Sequence, residues 1–216
     1  MGTILLVRHG QASFGANDYD VLSPLGRHQA AQLGRALARQ GTQPTALASG
    51  ALRRQRTSAE VLASEAGWAL DASVDPGWDE FDQNRLAVGA ASGGQAAPAR
   101  EEFQAALETG MRAWAGAGDA PGASESFSAF TTRTEAALRS IATGQPPGTT
   151  AVIVTSGGVI SWLTTALLSG GVEQWIRLNR VCVNTGVTKL VNGRRGISLV
   201  SFNDHSHLAG PELTYR

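Results

Sequence analysis

Several short apolar segments of this 216-residue sequence are each followed directly by residues that could bind or transfer a phosphoryl group. The residues concerned are Arg8 and His9, Arg53, Glu80, and Ser156 with Gly157. Arginine guanidinium groups make directional, charge-assisted hydrogen bonds to phosphate oxygens. An imidazole nitrogen can attack phosphorus, and a carboxyl group whose pKa is raised by burial can protonate a leaving oxygen. The set predicts a phosphoryl site built from groups that are far apart in the sequence.

The apolar segments that precede these residues read as strands alternating with helices. The predicted strands are residues 3–7, 46–48, 69–74, 151–155, 186–191 and 197–202, and the predicted helices begin near residues 24, 52, 103, 127 and 157. This alternation predicts an α/β fold, a three-layer α/β/α sandwich with a mostly parallel sheet. A turn at Asn192-Gly193 would join the last two strands into a hairpin that adds one antiparallel edge strand. Ligands of such sheets bind beyond the carboxyl ends of the strands, which is where the polar residues fall.

The segment 84–123 is rich in small residues and predicts a flexible cap over the sheet rather than a second domain. We therefore interpret residues 1–216 as one domain. A chain of this length buries enough surface to form a sizeable core without metals or disulfides.

Short motifs spread along most of the chain are similar to those of one known family. They are residues 6–11 (Leu-Val-Arg-His-Gly-Gln), Asn17, residues 22–26 (Leu-Ser-Pro-Leu-Gly), the spacing of Ser49, Arg53 and Thr57, and Asn184-Thr185. On these motifs the sequence resembles the histidine phosphatase superfamily, the phosphoglycerate mutase-like proteins.

The resemblance implies a phosphohistidine intermediate on His9 and a phosphoester or inorganic phosphate as the small-molecule ligand, with no cofactor and no metal. The residues that would hold the phosphoryl oxygens are Arg8, Asn17 and Arg53. Glu80 would be the proton donor. Because the match around Glu80 is loose, Asp79 and Asp82 are alternative donors.

The main departure from the family lies at Ser156, which stands where the family has a second histidine followed by glycine. Loss of one preorganised donor costs about 10²–10³ in rate, so the substitution predicts weakened turnover. The Ser156 hydroxyl can still donate one neutral hydrogen bond, and the helix start at Gly157 offers backbone N–H groups to an anion. His205 or His207 is an alternative source of the missing imidazole.

Phosphoester hydrolysis is the predicted reaction, with two alternatives in the same fold. One is a scaffold protein that binds a phosphoester without turnover, and the other is a mutase-type phosphotransferase. The segment 84–123 has only Arg85, Arg100 and Arg112 as basic residues, which favours hydrolysis over the mutase reaction.

A third alternative is a serine hydrolase that uses Ser156, Asp204 and His207, which occur in the chain order of that class. A nucleophile elbow needs glycine two residues before the serine, where this chain has Val154. The pattern therefore argues against this alternative.

Composition limits the kinds of partner that the protein can bind and the cell compartment in which we expect it. The chain has 18 Lys and Arg against 18 Asp and Glu, so no overall field attracts nucleic acid. The single cysteine, Cys182, excludes a disulfide within the chain and a cysteine zinc site. No apolar run reaches the ~18 residues of a membrane span, so we expect a cytoplasmic protein that does not bind membranes.

Overall fold

The computed structural model describes residues 1–13, 20–90, 100–117 and 125–215. Within these residues the strands are β1 (Gly2–Arg8), β2 (Ala46–Ser49), β3 (Ser73–Val74), β4 (Thr150–Thr155), β5 (Val187–Gly193) and β6 (Gly196–Asp204). The α-helices are α1 (Pro24–Arg39), α2 (Arg53–Ala66), α3 (Gln83–Ala90), α4 (Arg100–Gly116), α5 (Phe127–Gly144), α6 (Gly157–Leu167) and α7 (Val172–Val181). Short 3₁₀ helices cover Pro76–Trp78 and Gly210–Glu212.

The strands form one sheet in the order β3-β2-β4-β1-β5-β6. The first four strands are mutually parallel, and β5 is antiparallel to both of its neighbours. The α/β class and the mostly parallel sheet predicted from the sequence are confirmed. The carboxyl ends of β1, β2 and β4 therefore lie side by side at one edge of the sheet.

The hairpin between β5 and β6 turns two residues later than the sequence predicted. Gly193 pairs with Gly196, so Arg194 and Arg195 form the turn, and the predicted turn at Asn192-Gly193 is wrong. The Asn192 side chain donates to the Ala142 carbonyl, which keeps this residue in the strand. Gly196 takes the left-handed φ of 99° that closes the turn, a conformation that glycine adopts without steric cost.

Helices cover both faces of the sheet and give two separate hydrophobic cores. Alternate residues of β1 face opposite sides, with Ile4 and Leu6 in one core and Leu5 and Val7 in the other. Helices α1 and α2 supply the second core, whereas α4, α5, α6 and α7 supply the first. The predicted three-layer sandwich is therefore confirmed.

Two helices were not predicted, and both lie on the face opposite α1 and α2. Helix α3 covers Gln83–Ala90, where the sequence predicted the start of a flexible cap, and α7 covers Val172–Val181. Two pairs of ionic hydrogen bonds join α4 to α7, Arg112 with Glu173 and Arg180 with Glu108. Residues 91–99 and 118–124 lie outside the described residues, so the cap at 84–123 stays a prediction. No helix in the described residues is long and apolar enough to cross a membrane.

Candidate active site

Arg8 and His9 lie at the carboxyl end of β1, and the neighbouring strands fix their backbone. The His9 N–H donates to the Thr155 carbonyl at the end of β4, over 2.8 Å. On the other side, the His9 carbonyl accepts from the Asn184 side chain at 3.2 Å and from the Thr185 N–H at 3.3 Å. Thr185 holds a left-handed φ of 59°, which is costly for a β-branched residue. These contacts hold His9 at the junction of β1, β4 and β5.

The hydrogen bonds of the His9 ring determine its tautomer. Nδ1 lies 2.7 Å from the Gly10 carbonyl oxygen, which can only accept, so Nδ1 carries the hydrogen. Nε2 is therefore left with a lone pair, toward which the Nε–H of Arg54 points from 3.2 Å. The pKa of His9 lies well below its ordinary value. Burial has the largest effect, and the positive charges of Arg54 and Arg8 lower the pKa further. The imidazole is neutral at neutral pH, and its unprotonated nitrogen Nε2 can act as a nucleophile once an anion takes the Arg54 hydrogen bond.

The arginine beside His9 is Arg54, and not Arg53 as the sequence predicted. Arg54 is buried, and its guanidinium pairs with Asp20 at 2.7 Å. Arg53 is the first residue of α2, and its side chain is exposed. The prediction failed because it followed the spacing of Ser49, Arg53 and Thr57 instead of the buried face of the helix.

Helical periodicity could have identified the correct residues of α2. Arg54, Ser58 and Leu62 are four residues apart, so they share the face that packs on the sheet. The sequence reasoning also missed Ser58, whose hydroxyl accepts from the Gly10 N–H at 3.0 Å and donates to the Arg54 carbonyl at 2.7 Å. Ser58 thus joins the loop after β1 to the helix that carries Arg54.

Backbone carbonyls hold the Arg8 guanidinium in place, and they leave its Nε without a partner in the described part of the chain. Nη1 donates to the carbonyls of Cys182 and of Tyr215, the latter at 2.7 Å. Nε is buried and has no hydrogen-bond partner among the described residues. A methyl group added to Gly157 would lie 3.4 Å from this nitrogen, so Nε faces the start of α6. An anion in this position would satisfy a donor that otherwise stays unpaired.

Glu80 lies at the start of α6 and closes the other side of the site. Its Oε2 accepts from the Gly158 N–H at 2.9 Å and from the Gln83 amide at 3.0 Å. Burial raises the pKa of Glu80, against the opposing effects of the Gly158 hydrogen bond and Arg54. A methyl group on Gly158 would overlap Glu80, so only glycine permits this approach.

The two alternative acids bind elsewhere. Asp79 accepts from the Ala51 N–H at 2.6 Å, in the loop between β2 and α2, and burial raises its pKa. Asp82 accepts from the Arg85 N–H at 3.0 Å and caps the start of α3. Of the three carboxyl groups, Glu80 is the one that contacts the first turn of α6 beside Ser156.

Ser156 is fully buried immediately before α6. Its Oγ accepts from the Gln55 amide nitrogen at 2.9 Å. Neither candidate replacement histidine contacts it in the described residues. His205 bonds to the Asn203 carbonyl, and His207 bonds to the Thr185 hydroxyl at 3.0 Å.

These contacts also separate the members of the alternative serine-hydrolase triad. His207 contacts Thr185, whereas the partner of Ser156 is Gln55, so no histidine in the described part of the chain is placed to take a proton from Ser156. Burial lowers the pKa of His207 to about 4.

A cavity of about 260 Å³ opens beside Arg54 and Glu80. Its lining also includes Leu52, Phe81 and Asn84. The predicted phosphate ligand Asn17 lies outside the described residues. Among the described residues, no group of three or more His, Cys, Asp or Glu side chains is placed to hold a metal ion.

Comparison with known proteins shows the family of this chain. Residues 4–205 match the Histidine phosphatase superfamily (branch 1). The chain belongs to this superfamily. The match spans most of the sequence, from β1 to the end of β6, and includes every described residue of the site. No functionally curated protein matches the sequence.

Solved structures with the same fold include three bacterial or protozoan proteins. YhfR from Bacillus stearothermophilus has a TM-score of 0.72 at 22% identity, covering 96% of this chain and 99% of that chain. Phosphoserine phosphatase from Entamoeba histolytica, in complex with 3-phosphoglyceric acid, has a TM-score of 0.70 at 21% identity, covering 97% and 100%. Mycobacterial glucosyl-3-phosphoglycerate phosphatase, in complex with VO3, has a TM-score of 0.67 at 25% identity, covering 93% and 98%.

Proposed function

We propose that this histidine phosphatase homologue hydrolyses phosphomonoesters through a phosphohistidine intermediate on His9. The observation that carries the proposal is the tautomer of His9, because the Nδ1–H bond to the Gly10 carbonyl leaves a lone pair on Nε2. That nitrogen faces Arg54, which would hold a phosphoryl group in reach of it. The unpaired Nε of Arg8 supplies a second donor for the same anion.

In the first step, Nε2 of His9 attacks phosphorus and the bond between phosphorus and the leaving oxygen breaks. Protonated Glu80 gives its proton to that oxygen, so the leaving group departs as a neutral alcohol. Arg8 and Arg54 neutralise the charge on the phosphoryl oxygens as the new N–P bond forms. The raised pKa of Glu80 supports its role as the acid, because more of it carries a proton near neutral pH.

In the second step, water attacks phosphorus and the N–P bond breaks. The Glu80 carboxylate takes the proton from the water, which restores the acid for the next cycle. Inorganic phosphate leaves, and His9 returns to its neutral form. No redox change and no further reactant are needed.

The substrate is a small-molecule phosphoester. This extends to the present chain what the names of two related structures state, phosphoserine phosphatase and glucosyl-3-phosphoglycerate phosphatase. The small volume of the cavity beside Arg54 and Glu80, about 260 Å³, also supports a small leaving group.

The test combines turnover with chemical trapping. The purified protein is assayed on a panel of alkyl and aryl phosphates, and a labelled phosphoester is quenched during turnover. We expect label on the protein that is stable in alkali and lost in acid, as for an N–P bond, and none in His9→Ala. Turnover that survives in His9→Ala would rule out this mechanism.

A second candidate function is phosphoester binding without turnover, and Ser156 at the position of the second histidine favours it. Phosphate binding without turnover on any member of the panel would select this candidate. Label that moves to a second substrate molecule, and not to water, would instead indicate the mutase-type reaction.

A further inference from the structure

Gln55 is a fully buried polar side chain within the site, and the mechanism above does not use it. It follows Arg54 in α2, and its side-chain amide nitrogen makes two hydrogen bonds. One is to the Trp78 carbonyl at 3.1 Å, and the other is to the Ser156 hydroxyl oxygen at 2.9 Å. These two bonds fix the orientation of the amide, whose oxygen is buried without a hydrogen-bond partner among the described residues.

The bond to Trp78 determines what Gln55 offers to Ser156. A backbone carbonyl can only accept, so the nitrogen of the Gln55 amide must face Trp78. The same nitrogen then donates its second hydrogen to Ser156, whose oxygen acts as the acceptor. The single proton of the Ser156 hydroxyl is therefore not used by Gln55, and no acceptor in the described parts of the chain takes it.

The residues around Ser156 indicate which ligand could accept a hydrogen bond from its hydroxyl. Ser156 immediately precedes Gly157, and Gly157 faces the unpaired Nε of Arg8. Two donors without acceptors among the described residues thus lie at the start of α6, on the side where the proposed phosphoryl group binds. An anion with several oxygens is a ligand that satisfies both.

We propose that Gln55 is a positioning residue that orients the Ser156 hydroxyl as a donor to the phosphoryl oxygens. The pair takes the place of the second histidine: Ser156 contacts the anion, and Gln55 fixes the direction of its proton. This inference rests on the proposed phosphoryl site, but it requires only that the site binds an anion. Gln55 also fills the space beyond Ser156 Oγ that a larger side chain at position 156 would enter.

A double-mutant cycle on anion binding tests the pair. Gln55→Leu, Ser156→Ala and the double variant are titrated with inorganic phosphate by calorimetry. A neutral hydrogen bond contributes about 1 kcal/mol, so each single change should weaken binding about fivefold. The double variant should be no weaker than Ser156→Ala, because Gln55 acts through the serine. A loss of about 25-fold in the double variant, the product of the single effects, would overturn the proposal.

Thr155→Val is the matched control for structural damage. The Thr155 hydroxyl also donates to the Trp78 carbonyl, at 2.6 Å, but does not contact Ser156. The effect of Thr155→Val on the free energy of phosphate binding should add to that of Ser156→Ala, with no coupling energy between the two changes. Coupling as large as that of Gln55 would mean that the Trp78 carbonyl, and not the orientation of Ser156, is what matters.

Gln55→Glu provides a readout that a purely structural role would not move. The ionised carboxylate would accept the Ser156 proton and remove it from the anion, whereas the protonated acid can still donate. Sulfate binding by this variant should therefore improve relative to the parent as the pH falls and the introduced carboxyl group takes up its proton. Repulsion between the ionised carboxylate and the anion would persist without Ser156, so the same titration is made in the Ser156→Ala background. An unchanged pH profile, or one that is equally large in that background, would contradict the orienting role.

These outcomes separate the pair from the proposed reaction. Coupling in phosphate binding without any turnover would retain the Gln55–Ser156 pair and reject phosphoester hydrolysis. Turnover that depends on His9, without coupling between Gln55 and Ser156, would retain hydrolysis and reject the pair.

Discussion

The hydrogen on His9 Nδ1 decides which nitrogen can react, and a backbone carbonyl one residue away holds it there. The buried Arg54 guanidinium keeps the other nitrogen unprotonated, because burial and positive charge both lower the pKa of His9. A protonated ring could not attack phosphorus. In the proposed mechanism these cations have two roles, since they would bind the phosphoryl oxygens and they keep the His9 imidazole neutral.

The first prediction compares the two adjacent arginines of α2. Arg54→Ala should reduce kcat/KM by about 10²–10³, the usual cost of one preorganised donor to a developing anion. Arg53→Ala should change it by less than about threefold, since exposed substitutions are usually within about 0.5 kcal/mol. Steady-state kinetics on one aryl phosphate are sufficient. Equal losses in the two variants would contradict the placement of Arg54 beside His9.

The second prediction concerns restoration of the histidine at position 156. Ser156→His alone should gain little, because the Gln55 amide lies 2.9 Å from Ser156 Oγ and occupies the space of the ring. With Gln55→Ala to make room, turnover should rise by about ten- to a thousandfold, the reverse of losing a donor. The gain should vanish when His9 is replaced by alanine. A double variant that folds normally but shows no gain would mean that the pocket has lost the geometry for a second imidazole.

At the residue scale, the sequence showed which polar residues lie close to the end of a strand. Arg8, His9, Glu80 and Ser156 each follow a strand or its loop closely, so the topology of the sheet brings them together. The Gln55 contact with Ser156 was not predictable, because it joins side chains from two elements 101 residues apart through their rotamers.

Among the elements, α6 makes the most contacts with the proposed site, through its first turn. The first N–H groups of a helix have no partner within the helix and favour negative charge. Here the Gly158 N–H binds the Glu80 carboxyl, while Gly157 lies against Arg8. The sequence predicted this turn as a phosphate site, and the structure adds that it also holds the proposed acid.

The third prediction concerns Gly158, whose N–H donates to the Glu80 carboxyl. Gly158→Ala should displace Glu80 and the Phe81 ring, because the added methyl group would overlap both, so the free energy of unfolding of the variant is measured alongside its activity. The variant should therefore behave like Glu80→Gln and lose more activity on alkyl phosphates than on aryl phosphates, whose good leaving groups need little protonation. Comparing kcat for the two substrate classes in both variants checks this. Equal losses on both classes would assign Glu80 to binding or folding.

The helices that the sequence analysis missed are α3 and α7, and α7 does carry a helical pattern of apolar residues. Helix α7 buries only Trp175 and Ile176, and the rest of its sequence is mostly polar or charged. Val172, Trp175 and Ile176 have the i, i+3, i+4 spacing of an amphipathic helix, which the sequence analysis missed. The contacts of α7 with α4 comprise a ring contact between Trp175 and Trp114 and the two ion pairs. Exposed ion pairs contribute about 0–1 kcal/mol each, so tertiary packing decides this helix.

On the scale of the whole molecule, the mostly parallel sheet followed from the alternation of strands and helices, which is a strong signal for an α/β fold. The order of the strands was not predicted, and the antiparallel strand β5 lies between β1 and β6 rather than at the edge. The sheet order and the two cores then bring the site to one edge. The predicted position of the last turn was wrong because an Asn-Gly pair gives only a local preference for a turn. The side-chain bond from Asn192 to Ala142, on another element, overrides it.

The fourth prediction concerns stability against pH. Burial lowers the pKa of His207 to about 4, so below pH 6.5 the unfolded chain binds a proton that the folded protein does not. The contribution of His207 to the free energy of unfolding is complete above that pH. It is lost as the pH falls toward 4, by up to about 1.4 kcal/mol per pH unit. Urea unfolding at several pH values should show this slope, and His207→Gln should reduce it. A slope that persists in the variant would assign it to other groups, His9 among them.

Cys182 is the single thiol of the chain, and it is buried on the segment whose carbonyl anchors Arg8. Burial raises its pKa to about 11, so thiol reagents can react only when this segment opens. Its rate of labelling therefore measures local opening of the anchor, without any introduced probe. We expect phosphate to slow the labelling, since an anion on Arg8 would restrain the same side chain. A rate that is unaffected by saturating phosphate would show that the anchor and the site open independently.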